Sequence, residues 1–150
     1  MAHTYTDLLY HVVFSTKGRI PVVAEEIRSR LYAYIGGIVR QMAGDALQIS
    51  GTTDHVHLLL HLPPTVAVAN AVRDIKANSS GWVHGEWPTR RDFGWQTGYG
   101  AFTVSESRRG SVLEYIATQA EHHKAVSFKE EFRALLRRHK IAYDERYIWD

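Results

Sequence analysis

Cysteine is absent from the 150 residues, and proline occurs only 4 times. Without cysteine there is no disulfide framework, no thiolate metal site and no cysteine nucleophile, which fits a reducing compartment. No stretch approaches the roughly 18 uninterrupted apolar residues of a membrane span. Residues 1–7 also lack the basic-then-apolar order of a secretion signal. A soluble, cytoplasmic protein with no membrane partner is the expectation. Charge of one sign is missing too: 18 Lys and Arg stand against 16 Asp and Glu, so the chain is neither a basic arm nor an acidic disordered tail. What remains is 45% hydrophobic content, enough for one ordinary core, and a single domain over residues 1–150 is expected.

Periodicity orders the elements. Thr4 to Ser15 alternates, with Leu8, Tyr10, Val12 and Phe14 on one side, and predicts a strand. From Ala24, the positions Ile27, Leu31, Tyr34, Ile35, Ile38 and Met42 recur at three and four residues, predicting an amphipathic helix that ends near Gly44. Leu47–Gly51 and Asp54–Leu62 form a candidate hairpin, stopped by Pro63 and Pro64. Thr65 is a candidate N-cap for a second helix with Val68, Val72, Ile75 and Ser79 inward. The tryptophan-rich stretch 81–98 reads as irregular, and Tyr99 to Ser105 as a fourth strand. Arg108 to about Lys124 reads as one helix. Another spans Ser127 to Lys140, where Ser127 and Glu130 have capping-box spacing. The order β-α-β-β-α-β with extra C-terminal helices predicts an α+β, ferredoxin-like antiparallel sheet.

Two runs carry chemistry. In Asp54-His55-Val56-His57-Leu58-Leu59-Leu60-His61, strand alternation points His55 and His57 the same way, so two imidazoles can converge on a divalent metal. A solvated histidine face is the bland alternative. His61 shares that face but lies too far along the strand to join His55 on one ion. On the helix after the fourth strand, Tyr115, Gln119, His122 and His123 share a polar face. The bland alternative there is an exposed helix with Tyr115 half-buried.

Together these runs resemble the small single-tyrosine HUH transposases of insertion sequences and their REP-associated relatives. The resemblance rests on Tyr10-His11-Val12-Val13-Phe14-Ser15-Thr16-Lys17, on Asp54-His55-Val56-His57-Leu58-Leu59, on Lys76-Ala77-Asn78-Ser79-Ser80, on Trp95-Gln96-Thr97-Gly98-Tyr99-Gly100 and on Tyr115-Ile116-Ala117-Thr118-Gln119. It implies a DNA transposase that nicks and rejoins single-stranded DNA with hairpin ends. In that scheme Tyr115 is the nucleophile and forms a 5′-phosphotyrosine, while His55, His57 and Gln119 bind Mg or Mn. It also implies a homodimer in which residues 107–124 of one chain can complete the site of the other, acting at the nucleoid of a bacterial or archaeal cell. Lys17, Arg19, Arg73 and Lys76 are candidate phosphate contacts. Two other readings stay open. One is a metal-dependent phosphodiesterase that uses water, and the other is a non-catalytic nucleic-acid-binding module, since the RRM shares this strand order.

Overall fold

The structure is a computed structural model that describes residues 3–150. Four strands, β1 (Leu9–Ser15), β2 (Asp45–Gly51), β3 (His55–His61) and β4 (Gly100–Val104), form one antiparallel sheet in the order β2-β3-β1-β4. Helix α1 (Glu25–Gln41) connects β1 to β2, and α2 (Val68–Glu86) connects β3 to β4. This is the ferredoxin-like order expected from the sequence. Three further helices follow: α3 (Arg109–Ala117), α4 (Gln119–His122) and α5 (Phe128–Arg138). No helix among the described residues is long and apolar enough to cross a membrane.

The sheet is covered on both faces, and strand alternation decides which side chains meet which layer. Val12, Phe14, Val56, Leu58 and Leu60 point into a core shared with Leu31, Ile35 and Val39 of α1 and Val72 and Ile75 of α2. Val13 and Phe102 point the other way, against Phe128, Phe132, Leu135 and Leu136 of α5. His11, His55 and His57 belong to this second face by the same alternation and are buried. The tail seals that layer, with Tyr143, Ile148 and Trp149 packed on it.

Several boundaries differ from the sequence expectation. Regular strand begins at Leu9 instead of Thr4. Thr65 caps nothing; α2 starts at Val68, and its N-cap position, Ala67, offers no side-chain bond. The stretch expected to be irregular from residue 81 is helical to Glu86. Gly81 and Gly85 weaken intrinsic propensity there, but packing overrides it: Trp82 stacks on Tyr34 at 4.8 Å, and Arg30 covers the rings of Trp82 and Trp87. The helix expected over 108–124 is broken at Thr118, which has φ −102° and ψ 25° and whose hydroxyl donates back to the Glu114 carbonyl at 2.9 Å. Side-chain competition of this kind bends helices. Ser127 does cap α5, its hydroxyl accepting from the Glu130 N–H at 3.2 Å.

The β2–β3 hairpin presents His55, and its closure is tight. Thr52 N–H donates to the His55 carbonyl at 3.1 Å. A Cβ on Gly51 would collide with that same carbonyl and lie 2.9 Å from the Val56 Cα. Gly51→Ala should therefore destabilise the protein by about 2 kcal/mol, in the overpacking range. Urea unfolding monitored by tryptophan fluorescence measures it, and a variant as stable as wild type contradicts this account of the hairpin.

Candidate metal and tyrosine site

Glu131 sits at the centre of the second face, 3% exposed. Its position in α5 falls within the apolar stripe of Phe128, Phe132, Leu135 and Leu136, which aims a carboxylate at the sheet. One oxygen, Oε1, lies 2.9 Å from His57 Nε2 and 2.9 Å from His123 Nε2. The other, Oε2, accepts from Gln119 Nε2 at 3.1 Å and, in a very short bond, from the Tyr115 hydroxyl. His122 Nε2 stands 3.5 Å from Oε2. Burial alone would raise the Glu131 carboxyl, but donation from His123, His57 and Tyr115 more than reverses this and holds it well below the usual carboxylate range. Tyr115 moves the opposite way. Burial first, then the bond to Glu131 and its negative charge, push the phenol well above its ordinary value.

His55 and His57 are fully buried. His55 Nδ1 lies 2.8 Å from Asp54 Oδ1 and 3.0 Å from the Thr52 hydroxyl. A proton on Nδ1 directed at Asp54 leaves the Nε2 lone pair facing Gln119 Oε1 at 3.1 Å and Glu131 Oε1 at 3.5 Å. Three acceptors then converge, an arrangement that a cation relieves. The pairing of a ring nitrogen with an outer carboxylate is the arrangement that orients metal-binding histidines. Donor atoms of His55, His57, His123 and Glu131 all lie within 4.8 Å of one another, so these four residues could hold a metal ion. The donor set fits a divalent ion of borderline softness.

His57 is gripped from behind. His11, its diagonal neighbour across the β1–β3 ladder, places Nε2 2.7 Å from His57 Nδ1. Burial, then the neighbouring His57, lowers His11 from 6.5 to about 3, so it stays neutral at physiological pH. A neutral His11 can donate to Nδ1 while His57 donates to Glu131, or accept from a protonated Nδ1 while His57 Nε2 offers its lone pair. The ring of His57 keeps its place in both tautomers.

The structure thus brings Tyr115, His55, His57 and Gln119 together within one chain, and adds Glu131, His123, His11 and Asp54. The four candidate DNA contacts lie elsewhere. Lys17 is exposed beside the turn after β1. Arg19 lies 5.5 Å over the Trp149 ring and donates to that residue's carbonyl at 3.3 Å. Arg73 pairs with Asp74, and the Lys76 ammonium donates to the carbonyls of residues 96, 97 and 98 at 2.9, 3.2 and 2.5 Å. Arg73 and Lys76 line a separate cleft with Trp95, Gln96 and Tyr99. His61 stands 3.5 Å from Asp7, outside the cluster. Glu131 escaped the sequence reading although a signal existed: an acid among Phe128, Phe132 and Leu135, at core spacing.

Comparison with known proteins gives the same class. The family model described as Transposase IS200 like matches residues 4–119, and the chain belongs to that family. It is 29% identical over 118 residues to the ISDra2 transposase TnpA of Deinococcus radiodurans, covering 75% of this chain and 84% of that one. It is 28% identical over 134 residues to the transposase for insertion sequence element IS200 of Salmonella typhimurium, covering 83% and 84%. Among solved structures, a Deinococcus radiodurans transposase-family protein superposes with a TM-score of 0.65 at 26% identity, covering 79% of this chain and 96% of that one. A REP-associated tyrosine transposase bound to a REP hairpin shares the fold, with a TM-score of 0.62 at 15% identity over 84% and 74% of the two chains.

The neutrality of His11 fixes a pH dependence. Its folded value near 3 lies below the unfolded 6.5, so as pH falls through 6.5 the unfolded chain takes a proton that the folded one refuses, and stability is lost. Wild type should lose up to about 2 kcal/mol from this group between pH 7 and pH 5, and His11→Gln, which keeps an amide near the Nε2 position, should lose correspondingly less. Urea titrations in EDTA at the two pH values read the difference. Equal losses would show that His11 titrates normally.

Proposed function

We propose that the chain cleaves and rejoins single-stranded DNA at hairpin-bearing element ends, with Tyr115 as nucleophile. The observation carrying this reading is the convergence of the Tyr115 hydroxyl and the His55/His57 pair on one buried carboxylate. The phenol oxygen bonds to phosphorus while the P–O3′ bond breaks. The electron pair leaves with the 3′ oxygen, which takes a proton from water, and the product is a 5′-phosphotyrosine. The phenol's own proton passes to Glu131, its hydrogen-bond partner. Because Tyr115 is held well above its normal pKa and Glu131 well below, the phenol is protonated at rest, and its proton is transferred as the O–P bond forms. Reversal of the same step by a different 3′-hydroxyl joins new ends, with the phosphoester conserved throughout.

A divalent ion held by His55, His57 and Glu131, with His123 and Gln119 alongside, would supply positive charge to the phosphate oxygens. Three imidazoles in the donor set favour Mn over Mg, which prefers oxygen ligands. His55 is oriented by Asp54 and His57 by His11, so both rings face the cluster without help from a ligand. Tyr115 meets the histidines of its own chain, which supports a reading in which the site forms in cis and a homodimer would pair two complete sites.

The test uses labelled single-stranded oligonucleotides tiling the DNA on both sides of the chain's own coding sequence, with Mn. Wild type should yield a denaturant-resistant protein–DNA adduct and a free 3′-hydroxyl. Tyr115→Phe should lose the adduct while retaining DNA binding. His57→Ala should cut adduct formation by at least about 100-fold. Continued multiple-turnover cleavage by Tyr115→Phe would replace the covalent mechanism with attack by water. Cleavage recovered on mixing the Tyr115→Phe and His57→Ala chains would refute formation in cis.

A further inference from the structure

A cleft of about 590 Å³ opens beside Tyr115, between β4, α3 and α5. Tyr115 and His11 line it, together with Arg108, Arg138, His139 and Ser105. We propose that this cleft is an anion subsite for the sugar–phosphate backbone of the substrate strand next to the attacked phosphodiester, with Arg108 and Arg138 as its phosphate contacts. The inference rests on the function proposed above and assigns a strand path that the four sequence-chosen cations do not supply.

Three observations select this cleft. First, Tyr115 is one of its lining residues, so backbone lying in it would run beside the nucleophile proposed above. Second, its arginines are available. No acidic partner is found for Arg108 or Arg138 among the described residues. In the hollow of about 410 Å³ lined by Asp54 and His123, by contrast, Lys124 pairs with Glu121 at 3.1 Å and one terminal nitrogen of Arg28 donates to the Val23 carbonyl at 3.3 Å. Third, Arg138 lines the same cleft as Tyr115, which sets its positive charge on the side where the attacked strand would lie. The same charge would attract a phosphate. His139 is held in the wall by stacking on Phe102 at 4.2 Å and by the Leu135 carbonyl at 2.9 Å from Nδ1. Arginine forks match phosphate oxygens.

The probe is fluorescein-labelled dT12 in fluorescence anisotropy with Mn, from 50 to 300 mM KCl. Arg108→Gln and Arg138→Gln should each weaken binding several-fold and reduce the slope of log K against log salt by about 0.7, the value for one single-strand phosphate contact. The double variant should lose about twice that. Arg40→Gln, on α1 across the sheet, is the control and should match wild type. Unchanged slopes in both cleft variants would overturn the subsite, as would an equal loss in the control. The two proposals separate cleanly. Adduct formation with unchanged slopes sinks the cleft alone, while reduced slopes without any wild-type adduct sink the phosphotyrosine reading and leave a strand-binding cleft. Circular dichroism melts of each variant, matching wild type, establish that the losses are not unfolding.

Discussion

A carboxylate buried on a sheet face governs the second layer of this protein. Taking an unpaired Glu131 out of water would cost several kcal/mol, and the structure meets that cost with donors from three directions: His57 from β3, Tyr115 from α3, and Gln119 and His123 from α4 and the segment after it. Each donor in turn constrains its own element. The short α3 and α4 have little apolar surface of their own, Ile116 being the fully buried hydrophobe of α3, so the polar network does much of the work of fixing them. Remove the carboxylate and the imidazoles lose the acceptor that sets their distances, while Tyr115 loses the partner that aims its hydroxyl.

β3 makes such a site possible because both of its faces are covered. Val56, Leu58 and Leu60 give α1 and α2 their floor, and this apolar contact rigidifies the backbone from which His55 and His57 project. A strand with one wet face would leave the two imidazoles solvated and mobile. Here they are fully buried, tied at their outer nitrogens to Asp54 and His11, with their inner nitrogens facing Glu131 and Gln119. The solvated-histidine alternative fails on this geometry. α5 closes the face by burying Phe128, Phe132, Leu135 and Leu136, and the tail residues Ile148 and Trp149 lock it down. Packing far from the chemistry thereby sets where Glu131 stands.

Much of this was legible before the structure, and the limits have physical causes. Period-two and period-3.6 patterns found the order of the elements and α1, because each of these elements turns one face to the core shared by the sheet, α1 and α2. Ser127 was readable as a cap since its chemistry is local. The break at Thr118 was not, because a threonine hydroxyl can serve either a continuing or an ending helix and the difference lies in what α4 must reach. α2 ran past Gly81 because aromatic stacking with Tyr34 outweighed propensity. His55, His57, Tyr115 and Gln119 carried a recognisable spacing. Glu131 did not, since nothing within α5 says which residue faces it across the sheet. Its only trace was an acid at a core position. Arg19 and Lys76 show the converse limit: composition counts a cation as free, while the fold had committed one to Trp149 and the other to three carbonyls.

The opposed electrostatics of Tyr115 and Glu131 bear on how the proposed nucleophile would be kept harmless at rest. The phenol is held neutral by burial and by the anion beside it, and the anion is held charged by its imidazole donors. A solvent-exposed phenol with an activating base would be a standing nucleophile toward any phosphodiester in reach. If Tyr115 attacks as proposed, its proton would leave only as the oxygen begins to bond to phosphorus and positive charge builds on it. On the function proposed above, reactivity would therefore be tied to a correctly seated strand through the placement of this proton.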